Sequence, residues 1–270
     1  MRIVETAQLS DTGRQRSANE DSFFAGSPVF AVADGMGGAQ AGEVASRIAA
    51  ESFGPAERGD QPPEAYLKSI ALAANRRIND HAAEDESRSG MGTTFTAALV
   101  EGDEVSLAHV GDSRAYLFRD GDLRLLTSDH SLVEELLRQG KLTPEQAEDH
   151  PQRSIITRAL GPDREVEVDT MTYRAKPGDI YLLCSDGLTT MVKDDGIAGL
   201  LLGSETLEEA ARALVEQANV AGGRDNITVV LFRVGEGDAE AVDETATLVG
   251  PTAAEAGLRG LAVREAAASR

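Results

Sequence analysis

Four aspartates stand where an apolar run ends or begins. Asp34 follows Phe30-Ala31-Val32-Ala33 and opens Asp34-Gly35-Met36-Gly37-Gly38. Asp112, in Gly111-Asp112, follows Val105 to Val110. Asp186, in Ser185-Asp186-Gly187, follows Ile180 to Cys184, and Asp225, in Arg224-Asp225-Asn226, precedes Ile227 to Leu231. One Asp-Gly pair reads equally well as a hairpin turn. Asp103 and Asp120 lie between two short strand-like runs and are expected to be turns of that kind. The other four recur at strand ends, where a folded sheet can gather them, and the glycines after Asp34 let the backbone approach a ligand closely.

Carboxylates are hard oxygen ligands. There is no Cys or His pair at zinc spacing, and the four histidines (His81, His109, His130, His150) are scattered. A carboxylate-only set favours magnesium or manganese over zinc. Two such ions about 3.5–4 Å apart hold a water as hydroxide and polarise a phosphoryl oxygen. Without cations, clustered aspartates repel one another. Arg14 and Arg16 lie beside Glu20 and Asp21 in a polar stretch, which is either a solvated loop with local ion pairs or an anion receptor built on guanidinium forks. No Gly-Lys-Ser/Thr loop is present, so nucleoside triphosphate binding is not indicated. These parts describe metal-assisted hydrolysis of a phosphate ester by water.

Composition narrows the setting. The 270 residues carry 26 basic and 46 acidic side chains, a net charge of -20, which would repel a nucleic-acid backbone. At 41% hydrophobic, the chain can bury a sizeable core. The single cysteine, Cys184, lies in an apolar run and fits core packing in a reducing compartment. No apolar run approaches the roughly 18 residues of a membrane span, and the first residues are not a signal peptide. The expectation is a cytoplasmic monomer without nucleic-acid or membrane partners.

Several elements must position the aspartates. Ile3 to Leu9 is expected as a strand, Gln40 to Phe53 as a helix with an apolar stripe, and Pro63 to about Ala83 as a second helix. From Gly92 the period changes to two, predicting strands over Thr93–Val100, Val105–Val110, Ala115–Phe118 and Leu123–Leu126. Leu132 to Gln139 and Pro144 to Glu148 read as short helices, with Ser154-Ile155-Ile156 a short strand, inside an insertion that interrupts the β pattern. Strands return at Val166–Tyr173 and Asp179–Cys184. Thr206 and Glu209 mark the start of a helix reaching Asn219, and Asn226 to Val234 is the last strand. Glu236 to Arg270 is rich in Gly, Ala, Glu and Thr and is expected to be a disordered acidic tail.

In order along the chain, Arg16 with Asn19-Glu20-Asp21, Asp34-Gly35-Met36-Gly37-Gly38, Gly92-Thr93-Thr94 and Gly111-Asp112-Ser113-Arg114 are followed by three more motifs. These are Asp129-His130, Ser185-Asp186-Gly187-Leu188 and Gly223-Arg224-Asp225-Asn226-Ile227-Thr228. Each is weak alone, but the ordered set resembles the metal-dependent protein phosphatase family, the 2C type, over residues 1 to 235. The Gly-Met-Gly-Gly form and the insertion at about 131–165 are similar to bacterial members.

The resemblance implies an α+β fold, a four-layer α-β-β-α sandwich of two antiparallel sheets flanked by helices, with a flap at 131–165. It implies a serine/threonine phosphoprotein phosphatase that uses a metal-activated water and opposes bacterial Ser/Thr kinases. Its partners would be phosphorylated proteins, including such a kinase and its substrates. By position, Asp34 would bridge two Mn2+ or Mg2+ ions, the Gly35 carbonyl would bind one, and Asp186 and Asp225 would complete the shell of the second. Asp112 with Asp186, and Ser154 from the insertion, would hold a weaker third ion. Glu20 and Asp21 would act through waters, and Arg16 would grip the phosphate. Asn226 would be structural, holding the Asp225 loop. Where eukaryotic relatives have a histidine proposed as general acid, this chain has Met36, leaving a metal-bound water or a group such as His150 to supply the proton. Two alternatives stay open: a catalytically silent module that keeps the fold, and a hydrolase for other phosphate esters.

Overall fold

The computed structural model describes residues 1–37, 41–53, 58–85, 88, 90–148, 150–237 and 248–249. Its strands are apolar runs whose alternate side chains serve two different cores. In β3 (Val29–Met36), Ala31 and Ala33 pack to one side and Phe30 and Val32 to the other. In β10 (Ile180–Cys184), Ile180, Leu182 and Cys184 face one core while Tyr181 and Leu183 face another. A strand buried on both faces shows a continuous apolar run rather than an alternation, which is what the sequence has at these places.

Two antiparallel sheets result. The five-stranded sheet has the order β1-β11-β10-β7-β8, with β1 Arg2–Asp11, β7 Arg114–Arg119, β8 Asp122–Leu125 and β11 Ile227–Gly235. The other runs β12-β2-β3-β5-β6-β9, with β2 Asp21–Gly26, β5 Phe95–Glu101, β6 Glu104–Val110, β9 Asp169–Arg174 and β12 Leu248–Val249, while β4 (Gly92–Thr93) pairs with β3. The sheets meet through Phe23, Phe30, Val32, Leu107, Tyr181 and Phe232, where Phe232 stacks on both Phe30 and Tyr181 at 4.5 and 5.0 Å between ring centres. Helices α1 (Ala41–Glu51) and α2 (Pro63–Glu84) cover the outer face of one sheet. The other outer face carries α5 (Asp186–Thr189), α6 (Asp194–Gly203) and α7 (Leu207–Val220). The expected four layers are present. The insertion holds α3 (Leu132–Arg138) and α4 (Pro144–Glu148).

Local expectations meet specific outcomes. Asp103 and Asp120 do sit in hairpin turns, between β5 and β6 and between β7 and β8, Asp120 with φ 54°. Helix α7 starts on Thr206, whose hydroxyl accepts from the Glu209 N–H at 3.2 Å. The strand expected over Thr93–Val100 is split at Thr94, whose N–H donates to the Asp34 carbonyl at 2.9 Å and whose hydroxyl accepts from the Asp34 N–H at 2.8 Å. Ser154 to Ile156 contributes only a single bridge, between Ser131 and Ile156. The strand expected from Val166 starts at Asp169. Helix α6 went unmarked because Gly196, Gly199 and Gly203 dilute its pattern. Of the residues expected to be a disordered tail, Leu248 and Val249 pair with Ala25 and Phe24 of β2, and most others lie outside the described residues, as does Gly38.

Candidate active site

The topology brings the strand-end aspartates to one end of the sandwich. Asp34, late in β3, is the antiparallel partner of Asp21 at the start of β2. Strands β10 and β11 are antiparallel neighbours, so Asp186, just after one, and Asp225, just before the other, are at the same end. Asp112 lies in the connection from β6 to β7, and β7 starts beside Cys184 at the end of β10.

Hydrogen bonds fix this arrangement. Asn226 accepts from the Glu20 N–H at 2.8 Å and donates to the carbonyls of Thr12 and Ala18 at 3.0 and 2.8 Å, clamping the 12–20 loop onto the Asp225 turn. Gly13, at φ +80°, allows that clamp, because a Cβ there would stand 2.2 Å from the Asp225 carbonyl oxygen. Thr94 ties Asp34 to the Asp112 loop: its hydroxyl, which accepts from the Asp34 N–H, is 2.7 Å from that of Ser113, beside Asp112. A Cβ on Gly111 (φ +110°) would lie 2.6 Å from Thr94 Cγ2. Gly35 is wedged between the Glu20 and Gly42 carbonyls. Ser185 and Thr228 both donate to Asp21 Oδ2, at 2.8 and 2.7 Å.

The electrostatics are those of crowded carboxylates. Burial, then the neighbouring Asp21, Asp186, Asp112 and Asp225, pushes the Asp34 carboxyl well above its usual range. Burial raises Asp112 to about 8 and Asp21 to about 7, with Asp186 adding to both. Asp186 rises to about 6 through burial and Asp225, although it shares a hydrogen bond with Asp34. Asp34 and Asp186 keep some surface open to the cleft, but dense protein around them removes most of their water. Burial also raises Glu20, against the opposing effect of Arg16. Arg16 donates to Asp225 Oδ2 at 2.7 Å.

Two oxygens bear directly on metal binding: Asp21 Oδ1 and Asp112 Oδ1 are buried without a hydrogen-bond partner. A buried carboxylate oxygen left unpaired is costly, and a divalent cation is the partner that several such groups share. Among the described residues, no three acidic, His or Cys side chains already stand in closed ligating geometry. The cluster converges electrostatically, and a cation would draw its oxygens together. The donor set, all carboxylate and carbonyl, fits manganese or magnesium.

Beside the cluster is an open cavity of about 760 Å³. Asp112, Asp186 and Ser154 line it, with Val133, Leu137 and Ala147 of the insertion on one side and Thr189, Asp194 and Asp195 on the other. His150 is not among its lining residues. The base of the insertion is held by Thr157 N–H on the His130 carbonyl at 2.8 Å and Leu132 N–H on the Ile155 carbonyl at 2.9 Å. Arg114, next to Ser113, binds both oxygens of Asp129, at 3.0 and 2.8 Å. These holding roles of Thr94, Ser113, Arg114, Asp129, Ser185 and Thr228 escaped sequence reasoning. Their only mark was a place beside the aspartates in Gly-Thr-Thr, Asp-Ser-Arg, Asp-His and Ser-Asp-Gly.

Comparison with known proteins identifies the family and supports the fold. The family model for protein phosphatase 2C matches residues 12–231. Serine/threonine protein phosphatase PstP of Mycobacterium tuberculosis is 44% identical over 236 residues, covering 86% of this chain and 45% of the relative. This chain thus spans under half of that relative's length. Serine/threonine phosphatase stp of Listeria monocytogenes is 42% identical over 233 residues, covering 82% of this chain and 92% of the relative. The crystal structure of the catalytic domain of PstP in complex with 2 manganese ions superposes with a TM-score of 0.80 at 39% identity, covering 87% of this chain and all of that domain. With the sandwich, the gathered aspartates and the matched span in agreement, the chain belongs to the protein phosphatase 2C family.

Proposed function

We propose that this chain is a metal-dependent serine/threonine phosphoprotein phosphatase. The observation that carries this is the gathering of Asp21, Asp34, Asp112, Asp186 and Asp225 at one end of the sandwich, two of them with buried, unpartnered oxygens. Asp34, the Gly35 carbonyl, Asp186 and Asp225 would hold two manganese or magnesium ions. Asp112, with Asp186 and Ser154, would hold a third, weaker one. Glu20 and Asp21 would orient waters of that shell. Bound divalent cations would supply an activated water and neutralise charge on the phosphoryl group.

The remaining steps belong to the chain. Arg16, on the 12–20 loop, is exposed enough to leave Asp225 for a phosphoryl group, whose oxygens match its fork. Asn226 and Gly13 fix the loop that carries it. Met36 cannot donate a proton, so the leaving alkoxide takes its proton from water. The cavity beside the cluster is open and holds more than a phosphate, which suits a phosphoprotein segment. The natural substrates would be phosphorylated kinases and their targets, met in the cytoplasm by a monomer. Among the described residues no helix is long and apolar enough to cross a membrane.

Hydrolysis of a phosphothreonine peptide with and without Mn2+ tests this reading. The expected result is Mn2+-dependent phosphate release that Asp186→Ala abolishes. A protein that binds Mn2+ and peptide without turnover would be a silent module and would overturn the reading.

A further inference from the structure

His130 stands between the insertion and the Asp112 turn, and its imidazole takes part in no step described above. The residue is buried, 4% exposed, and exchanges two hydrogen bonds with Gly111. Its backbone N–H donates to the Gly111 carbonyl at 2.7 Å, and the Gly111 N–H donates to its ring Nδ1 at 3.0 Å. Gly111, at φ +110°, directly precedes Asp112. On the other side of Asp112, the Ser113 carbonyl accepts from the Thr96 hydroxyl at 2.9 Å. Asp112 is therefore held through its two neighbours. Its own Oδ1 is buried without a hydrogen-bond partner, so the aim of that oxygen depends on the turn.

The hydrogen bonds also fix the state of the ring. A ring nitrogen that accepts carries no proton, so the neutral ring has its proton on Nε2. Nε2 then donates to Asp169 Oδ2 at 3.1 Å. Arg158 Nη1 stands 3.0 Å from Nε2 as well, but two accepting nitrogens would leave the ring without a proton. Arg158 donates instead to Asp169 Oδ1, at 2.7 Å. Burial lowers the pKa of His130, which favours the neutral form. The ring also packs on that of the buried His109, 4.8 Å between centres. A continuous set of contacts thus runs from Arg158, on the returning end of the insertion, through Asp169 and His130 to Gly111 and the Asp112 turn.

We propose that His130 is a positioning residue for Asp112: with its proton kept on Nε2 by Asp169 and Arg158, it holds the Gly111 N–H and so aims Asp112 at the weaker third cation. The inference rests on the phosphatase reading, which makes Asp112 a metal ligand, and adds to it a residue that couples the insertion to that ligand. Groups that orient a ligand in this way are worth about 10–100-fold in metal affinity or activity.

The test begins without metal. Long-range proton–nitrogen correlation spectra of the 15N-labelled chain at neutral pH should show His130 protonated on Nε2 and bare on Nδ1. Calorimetric titration of Mn2+ then compares three variants. H130A removes the acceptor and should weaken the weakest class of Mn2+ sites by about tenfold or more, leaving the tighter sites near wild type. H130N places an amide oxygen where Nδ1 was and should restore most of that affinity. D169A leaves the acceptor in place but frees the tautomer, and should have a smaller effect than H130A. On a phosphothreonine peptide, H130A should lower kcat while the peptide KM stays near wild type, and it should cost nothing further in a D112A background. A proton on Nδ1, no weaker class of Mn2+ site in the wild type, or H130N failing as fully as H130A overturns the inference alone. An equal cost of H130A with and without Asp112 does so too. If H130A does not fold, the spectra, H130N and D169A still decide. Absence of wild-type turnover on every peptide overturns the phosphatase reading and this inference with it.

Discussion

The two ends of the sandwich handle buried carboxylates in opposite ways. At one end, Asp179 is 1% exposed yet fully partnered: Arg119 grips both its oxygens at 2.7 and 2.6 Å, and the Lys176 N–H donates to it at 2.7 Å. At the other, Asp21 and Asp112 are 3% and 8% exposed, surrounded by further aspartates, and each retains a buried oxygen without a partner. Residue type and burial are the same. Only the partners differ, and with them the purpose. A buried acid that the protein neutralises itself is structural. A set that the protein crowds together and leaves unneutralised is built for something from solution.

The comparison can be broken most severely by removing a site acid. Asp34→Asn or Asp186→Ala should lower kcat/KM on a phosphothreonine peptide by at least about 10³-fold. Melting followed by circular dichroism should show metal-free stability unchanged or raised, because a buried carboxyl crowded by other acids is gone. Loss of both activity and fold would place these acids with Asp179 instead. The converse change is Arg119→Ala, which strands Asp179. It should cost about 3 kcal/mol in denaturant melts while leaving kcat/KM near wild type below the melting temperature. An intermediate case is Asn226→Ala, which frees the 12–20 loop from the Asp225 turn. It should destabilise by about 1–2 kcal/mol and raise KM more than it lowers kcat, because Arg16 is displaced while the aspartates are not.

The smallest expected effect is on pH dependence. An acid whose pKa is raised on folding stabilises the folded state fully below its unfolded value, and that stabilisation is lost as pH rises through the folded value. For Asp186, Asp21 and Asp112, raised to about 6, 7 and 8, the loss falls across that interval. His109, pushed down to about 4 by burial, acts in the opposite sense only below its ordinary value of 6.5. Between pH 6.5 and 9 the metal-free melting temperature should therefore fall by several degrees. Added Mn2+ should raise it most at pH 9. A flat profile would mean that the acids are not crowded in solution.

Much of this was legible in the sequence, for physical reasons. Strands such as Ile180–Cys184 and Ile227–Gly235 are apolar on both faces, so they stood out as continuous runs. Carboxylates at their ends stood out against them. The hairpin at Asp120 could be told from the site because a paired strand follows at once. What stayed hidden depended on contacts distant in sequence. The bond between Thr94 and Ser113 ties the β4–β5 junction to the β6–β7 connection, and the two donors to Asp21 Oδ2 come from residues more than 160 positions away. The fork of Arg114 on Asp129 likewise has no local pattern. Helix α6 was lost to its glycines, and the strand expected at Ser154 to Ile156 shrank to a single bridge within an irregular insertion.

The central claim is that the unneutralised end is a cage for divalent cations. Calorimetric titration of Mn2+ into the metal-free chain at pH 7, repeated in two buffers of different ionisation enthalpy, tests it most directly. The account predicts saturable binding with release of protons, since the raised acids must ionise to bind metal. It also predicts that Asp34→Asn weakens binding sharply. The account would be contradicted if binding released no protons, or if the titration never saturated.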